Sequence, residues 1–299
     1  MTIEIKNLHK AFGRHEALRG LSLNVPEGSA YALIGANGAG KTTTIKTLMN
    51  IIRPTHGTIR ILGVDSRKLG VMQLQHIGYV SENQDMPARL TVAEYLDYLR
   101  PFYPTWDPQL ERSILQELRL PPDHRIGHLS HGMRMKMSLA CALPFRPRVL
   151  ILDEPFSGLD PLVRDEFMER LLHQAGEMTI LISSHELSEI EGVTTHVGFI
   201  DQGRLLFEES MTTLSDRFRQ VRITLESPGA LPVPAPEGWL QLTAAGAVLS
   251  FVDSRFSEKR LAETVAALFK GVKNIEVQPI ALRTVFTTLA RDSRGDSAS

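Results

Sequence analysis

The stretch Tyr31-Ala32-Leu33-Ile34-Gly35-Ala36-Asn37-Gly38-Ala39-Gly40-Lys41-Thr42-Thr43 decides the fold of this chain. Its first four residues are a compact apolar run that predicts a buried strand, and Thr42–Ile52 predicts a helix that stops before Pro54. Gly35 to Thr42 matches the phosphate-loop pattern G-x-x-x-x-G-K-[ST] at every fixed position, between a strand and a helix as that motif requires. A chance match in a chain of this length is on the order of one in a hundred. Glycines at 35, 38 and 40 let backbone N–H groups curl around phosphate oxygens, and the helix N-terminus adds its dipole. Lys41 then reaches the terminal phosphates and Thr42 offers its hydroxyl to Mg²⁺, while Asn37, Ala39 and Thr43 complete the phosphate-binding set.

Outward from this unit, Val149–Leu152 is a second apolar strand, and it ends in Asp153 and Glu154. Ligands collect at that end of a parallel sheet. Asp153 is positioned to hold a metal ion and Glu154 to orient an attacking water. Further strands are expected at Thr179–Ser183 and Val197–Ile200, with helices at Arg164–Gln174 and Glu186–Gly192, the alternation of a parallel α/β sheet. Two N-terminal strands, Ile3–Ile5 and Leu18–Val25, precede the loop. The segment from about 85 to 147 reads as a helical insert, with helices at Val92–Leu99, Gln109–Leu118 and Gly132–Leu143 separated by prolines. Met133, Met135, Met137 and Cys141 fall on the last of these and read as core packing rather than a metal site. From Gln220 the texture changes to alternating Val221, Ile223 and Leu225, a proline-rich loop, a strand at Ala247–Val252 and a capped helix at Ser257–Phe269. Two domains are therefore expected, 1–219 and 220–299, the second a small α+β domain with a frayed polar tail, RDSRGDSAS.

Composition narrows the function classes. Apolar residues make up 42% of the 299 and charged residues 22%, and 33 Lys+Arg nearly cancel 34 Asp+Glu, as in an ordinary globular protein. A formal net charge of −1 argues against direct nucleic-acid binding, which favours a basic excess. The single Cys141 excludes an intrachain disulfide and fits a reducing compartment. MTIEIKNLHK lacks the features of a secretory signal, and no apolar run is long enough to span a membrane. A cytoplasmic protein is expected, with any membrane role exerted through a partner.

Between the two motifs stands Leu129-Ser130-His131-Gly132-Met133, and with it the chain resembles the ATP-binding cassette (ABC) family. The resemblance covers residues 1 to about 215 and rests on an ordered set: the loop 35–42, the signature-like 129–133, the strand ending at Asp153-Glu154, the turn Ser157-Gly158-Leu159-Asp160, and His185. It implies an α/β P-loop NTPase of ABC type, with a mostly parallel core, N-terminal antiparallel strands and a helical insert. It further implies an ATPase that uses Mg²⁺ and pairs head to tail, as homodimer or heterodimer, around two ATP molecules.

By the same resemblance Ser130 and Gly132 act across the dimer on the partner's ATP, Asp160 lies at the interface, Glu154 is the base and His185 contacts the terminal phosphate. His131 and Met133 depart from the family's LSGGQ; His131 either shields the interface or is a solvated loop residue. Phe12 occupies the place of an adenine-stacking ring, with a core phenylalanine of the first hairpin as the other reading. In Ile77-Gly78-Tyr79-Val80-Ser81-Glu82-Asn83-Gln84, Glu82 takes the position of the Q-loop glutamine and joins Thr42 and Asp153 as a metal ligand, with Gln84 the alternative two residues on. Together with Tyr103-Pro104-Thr105-Trp106-Asp107 and the C-terminal domain, this is most similar to the ATPase subunits of bacterial ABC-2-type exporters, which drive a separate integral membrane permease from the inner face of the membrane. A soluble ABC ATPase acting on nucleic acid or ribosomes is the rival; the chain has one phosphate loop and no sustained heptads. A GTPase or kinase reading leaves the signature and His185 unexplained.

Overall fold

Buried Ile3, Ile5 and Leu8 on one strand face Leu18, Leu21, Leu23 and Val25 on the next, so two chain segments with one apolar side each close into a hairpin. These are β1 (Ile3–Phe12) and β2 (His15–Val25), antiparallel from Ile3 opposite Val25 to Phe12 opposite His15. Both strands run further than the apolar runs at 3–5 and 18–25, because Gly13, at φ 59°, supplies a turn that lets polar residues continue the ladder. With β4 (His56–Ile61) and β5 (Val64–Asp65) they form a sheet of order β2-β1-β4-β5. The computed structural model describes all residues except 83, 175–177, 187–189, 191, 229–230, 282–283, 286–287 and 289–299, and the side chains at 161, 165, 169–170 and 172–174.

The second sheet holds the glycine loop and the carboxylate strand. Its order is β10-β9-β3-β8-β7-β6, from β3 (Ala30–Ile34), β6 (Ile77–Ser81), β7 (Val149–Asp153), β8 (Thr179–Ser184), β9 (His196–Asp201) and β10 (Arg204–Ser210). β3, β7 and β8 are buried along their whole length, as central parallel strands covered on both faces must be. Pairing is parallel for β6–β7, β7–β8, β3–β8 and β3–β9. This register brings Ser81, Asp153 and Ser183 side by side, with Ile34 opposite Ser184. The C-terminal ends of four strands thus meet at one edge. The observed α/β architecture, with antiparallel N-terminal strands and a parallel core, is the one the resemblance implies.

Helix α1 (Lys41–Leu48) starts directly after the glycine loop and ends four residues before the expected Ile52, because Asn50 turns left-handed at φ 56°. After α2 (Val71–Leu74), the insert holds α3 (Val92–Leu99), α4 (Pro108–Glu117) and α5 (His131–Ala142). Each has a sequence-readable cap: Thr91 with Glu94 in a capping box, Asp107 before Pro108, and Ser130 accepting from the N–H of Met133. Met135, Met137 and Cys141 are buried in the core, and burial pushes the Cys141 thiol well up. α6 (Pro161–Gln174) follows the carboxylate strand. Residues 187–189 and 191 of the helix expected at Glu186–Gly192, and the tail RDSRGDSAS, lie outside the described residues.

The chain divides into Met1–Glu208 and Glu209–Ser299, so the 219/220 boundary falls inside the second unit. That unit begins with α7 (Met211–Arg217) and contains β11 (Arg219–Leu225), β12 (Trp239–Ala245), β13 (Val248–Asp253), α8 (Glu258–Leu268) and β14 (Val272–Pro279). Its antiparallel sheet has the order β12-β13-β11-β14. Its core joins Val221, Ile223, Trp239, Leu249, Phe251, Leu261 and Val265, with Trp239 and Phe251 stacked at 3.8 Å.

Candidate functional site

Gly40 is the loop's hinge. It sits at φ 114°, and a Cβ there would meet Leu18 Cδ2 at 2.8 Å and Ala17 O at 3.0 Å, so no other residue fits without strain. This turn aims the first N–H groups of α1 into a cavity of about 490 Å³. Phe12, Asn37, Gly38, Gly40, Lys41, Thr42, Thr43, Glu82, Glu154, Ser157 and His185 line it. Gly35 and Ala39 lie behind this wall, Ala39 buried and Gly35 lending its carbonyl.

Lys41, 4% exposed, donates to Gly35 O at 2.6 Å and Ala36 O at 3.2 Å, and its Nζ lies 3.0 Å from Glu154 Oε1. The other Glu154 oxygen, Oε2, lies 2.8 Å from His185 Nδ1. The carboxylate is therefore held at both ends. Its backbone is at φ 52°, a conformation that costs a non-glycine residue energy and persists where the surroundings enforce it. One enforcing contact is the N–H of Glu154, which donates to Ser183 Oγ at 2.9 Å.

Asp153 forms a second group behind the first. Thr42 Oγ1 donates to its Oδ1 at 3.1 Å and Ser183 Oγ at 2.7 Å. Burial raises the Asp153 pKa, with the charge of Glu154 adding to the rise and the Ser183 and Thr42 hydroxyls opposing it. Ser183 was not singled out from the sequence; its signal was a hydroxyl at the end of an otherwise apolar strand. A smaller hollow of about 170 Å³ joins Thr42, Ser81, Glu82, Gln84, Asp153 and Glu154. The N–H of Glu82 donates to Asp153 O at 3.2 Å, and Gln84 Oε1 is buried without a hydrogen-bond partner among the described residues.

The side-chain donors of Thr42, Glu82, Gln84 and Asp153 are oxygens, one of them an orphan, and this set fits a hard divalent cation, with Lys46 the basic residue on the same wall. Among the described residues no three His, Cys, Asp or Glu side chains converge as a metal cage. Mg²⁺ sites completed by substrate phosphates need none.

Phe12 is not a core residue: it is 49% exposed, lies at the cavity wall and carries Lys10 Nζ 4.7 Å from its ring centroid. Ser130, Gly132 and Asp160 are not brought into this cavity. Ser130 caps α5, Gly132 faces Val163 and Leu159, and Asp160 Oδ1 caps α6 by accepting from Val163 N at 3.0 Å. His131 is not a solvated loop residue, since its Nε2 lies 3.0 Å from Ser157 O.

Residues 18–157 match the ABC transporter family. The bacitracin transport ATP-binding protein BcrA of Bacillus licheniformis is 38% identical over 223 residues, which covers 73% of this chain and 72% of that protein. The chain belongs to the ABC transporter family. The lantibiotic transport ATP-binding protein SrtF of Streptococcus pyogenes is 34% identical over 212 residues, covering 69% of this chain and 90% of that protein. A solved ATP-binding subunit of an ABC transporter aligns with a TM-score of 0.66 at 30% identity, covering 72% of this chain and 92% of that one. The chain is thus an ABC ATPase, and the family match at residues 18–157 lies within its first unit. Among the described residues, no helix is long and apolar enough to cross a membrane.

Proposed function

We propose that this ABC ATPase is the motor of a bacterial ABC-2-type exporter, with residues 1–208 as its ATPase domain and 209–299 as a separate α+β domain. The observation that carries the reading is Glu154, shared between Lys41 and His185 in the wall of a phosphate cavity. The loop amides of residues 35–43 and Lys41 bind the ATP phosphates, and Phe12 stacks on adenine. Phosphate oxygens give Lys41 a new anion to pair with, which releases Glu154 Oε1 toward water. His185 keeps hold of Oε2, so the freed oxygen stays aimed while it polarises the water. Thr42, Asp153 and Glu82 or Gln84 would hold Mg²⁺, which when bound neutralises phosphate charge. Ser130 and Gly132, turned away from their own cavity, serve the ATP of a second copy or of a related subunit across a head-to-tail interface, where Asp160 also lies.

The permease partner is supported by the first unit's surface. Val71 and Met72 are 70% exposed, and Leu74, Tyr98 and Phe102 are exposed as well. Gln75 Nε2 donates to Phe102 O at 3.0 Å, linking the α2 segment to the insert. An apolar patch of this kind marks a protein contact, here a cytoplasmic helix of an integral membrane permease. Through it the subunit is held peripherally at the inner face of the membrane. Transport is supported by the bacitracin and lantibiotic transport names of the relatives, and export by the Nod factor export ATP-binding protein I of Burkholderia orbicola, 35% identical over 213 residues.

Glu154→Gln tests the reading. Turnover falls by about 10²- to 10⁴-fold, because the amide keeps the shape and loses the base. ATP binding persists, and size measurement with ATP and Mg²⁺ finds a dimer; an ATP-loaded variant that stays monomeric overturns the trans arrangement.

A further inference from the structure

The departure at His131 has a partner in the fold. His131 is half-buried at the first position of α5, and its Nε2–H donates to Ser157 O at 3.0 Å. The ring also fills the space beside Gly158, where a Cβ would meet it at 3.5 Å. Ser157 in turn donates its N–H to Glu154 O at 3.3 Å and lines the phosphate cavity. Two hydrogen bonds therefore connect the backbone of Glu154 to the segment that presents Ser130 and Gly132. Five residues further along α5, Lys136 pairs with Glu166 on α6, and Gly132 lies against Val163 and Leu159. The start of α5 and the turn at 157–160 are thereby held as one body.

We propose that His131 is a positioning residue that couples the two composite ATP sites of the dimer. The inference rests on the head-to-tail reading, in which Ser130 and Gly132 cap the ATP of the partner while Glu154 acts on the chain's own. A shift of the signature segment on capping the partner's ATP passes through His131 and Ser157 to the Glu154 backbone, whose φ of 52° leaves it sensitive to a small displacement. Coupling of this kind needs an element that both sites bias, and the His131–Ser157 bond is that element. Loss of the imidazole leaves each site intact as a binding site. It removes the link between them.

The experiment compares the full-length chain with His131→Leu, which fills similar space without a donor, and His131→Gln, whose amide can donate to the same carbonyl. Steady-state ATPase rates are measured against ATP concentration, with thermal unfolding as the control for folding. The expected wild-type response is a sigmoidal ATP dependence, and a hyperbolic one overturns the coupling. For His131→Leu, kcat falls by roughly three- to tenfold, the range expected for one lost hydrogen bond, the Hill coefficient drops toward one, and the ATP concentration at half-maximal rate moves less than either. His131→Gln recovers most of both kcat and Hill coefficient; a purely space-filling role would favour leucine instead. The proposal is overturned if His131→Leu keeps the wild-type kcat and Hill coefficient, or if His131→Gln is damaged as much as His131→Leu. Should His131→Leu unfold, the Gln variant alone decides: a folded His131→Gln with a non-sigmoidal response sinks the coupling. The ATP-dependent dimer of Glu154→Gln separates the two levels. A monomer removes the dimer reading and the coupling together, whereas a dimer with unaltered His131→Leu kinetics removes the coupling alone.

Discussion

The two halves of the ATP chemistry are built differently. On the phosphate-loop side, Lys41, Thr42, Asp153, Glu154, Ser183 and His185 form an interlocked set of hydrogen bonds and ion pairs, with Lys41 and Asp153 almost fully buried. On the signature side, Ser130 is exposed and makes one capping bond to Met133 N at 3.2 Å, while Asp160 is exposed and caps α6. The first set is held together by the protein's own side chains. The second presents a helix N-terminus, the end of a helix that favours an anion. On the function proposed above, the difference teaches that a single chain contains a prepared acceptor of phosphate and base, and only an offered half-site for whatever faces it.

The strongest way to break this comparison is to damage the halves separately. Lys41→Ala removes the phosphate ligand and the partner of Glu154, and Ser130→Ala removes the signature hydroxyl, so each homodimer has both composite sites impaired. A mixed dimer places both lesions in one site and leaves the other whole. With random pairing, mixing restores about a quarter of the sites, and activity rises above both parents in proportion. Mass measurement confirms that heterodimers form. If they form and activity never exceeds the parents, either Ser130 does not act across the interface or the two sites are strictly coupled, and the Hill coefficient of the wild type separates the two.

A smaller effect isolates the prepared half. His185→Ala leaves the Lys41–Glu154 contact at 3.0 Å and removes the one that orients Glu154 Oε2. Turnover falls by about tenfold to a hundredfold, less than loss of the base itself, while equilibrium ATP binding changes little. Comparable losses in kcat and in ATP affinity would instead place His185 chiefly on the nucleotide.

Legibility divided along another line, local pattern against pairing at a distance. The phosphate loop, the apolar strand into Asp153-Glu154 and the capped insert helices were readable because each is a local pattern with a fixed period or a fixed spacing. Val92–Leu99 coincides with its expected bounds, and α4 and α5 are shifted by one residue at each end. What stayed hidden depended on pairing at a distance. β14 is exposed almost throughout and β12 has a register shift between Leu240 and Thr243, so neither carries an alternating apolar signal, and both exist because β11 and β13 offer edges to pair with. Ser183 was hidden for a related reason: its importance comes from the register that sets it beside Asp153. His131 was read as either a shield or a solvated residue because its partner, Ser157, is 26 positions away in sequence.

The smallest expected effect concerns the one place where two residues compete for a role on the prepared side. Glu82 lines both the phosphate cavity and the smaller hollow beside Asp153, whereas Gln84 lines only the hollow, with an unpartnered oxygen. A carboxylate at 82 adds negative charge near Asp153 and Glu154, and like charges at close range favour a compensating divalent ion. Glu82→Gln therefore weakens the Mg²⁺ or Mn²⁺ dependence modestly while keeping hydrolysis, because the amide oxygen can still ligate. Glu82→Ala loses more, since it removes the ligand, and Gln84→Ala loses least. The measurement is ATPase rate against free metal concentration for the three variants. A damaging Gln84→Ala beside a silent Glu82→Ala would shift the role by two residues, and the orphaned Gln84 oxygen would then be the metal-side contact that links the core to the helical insert.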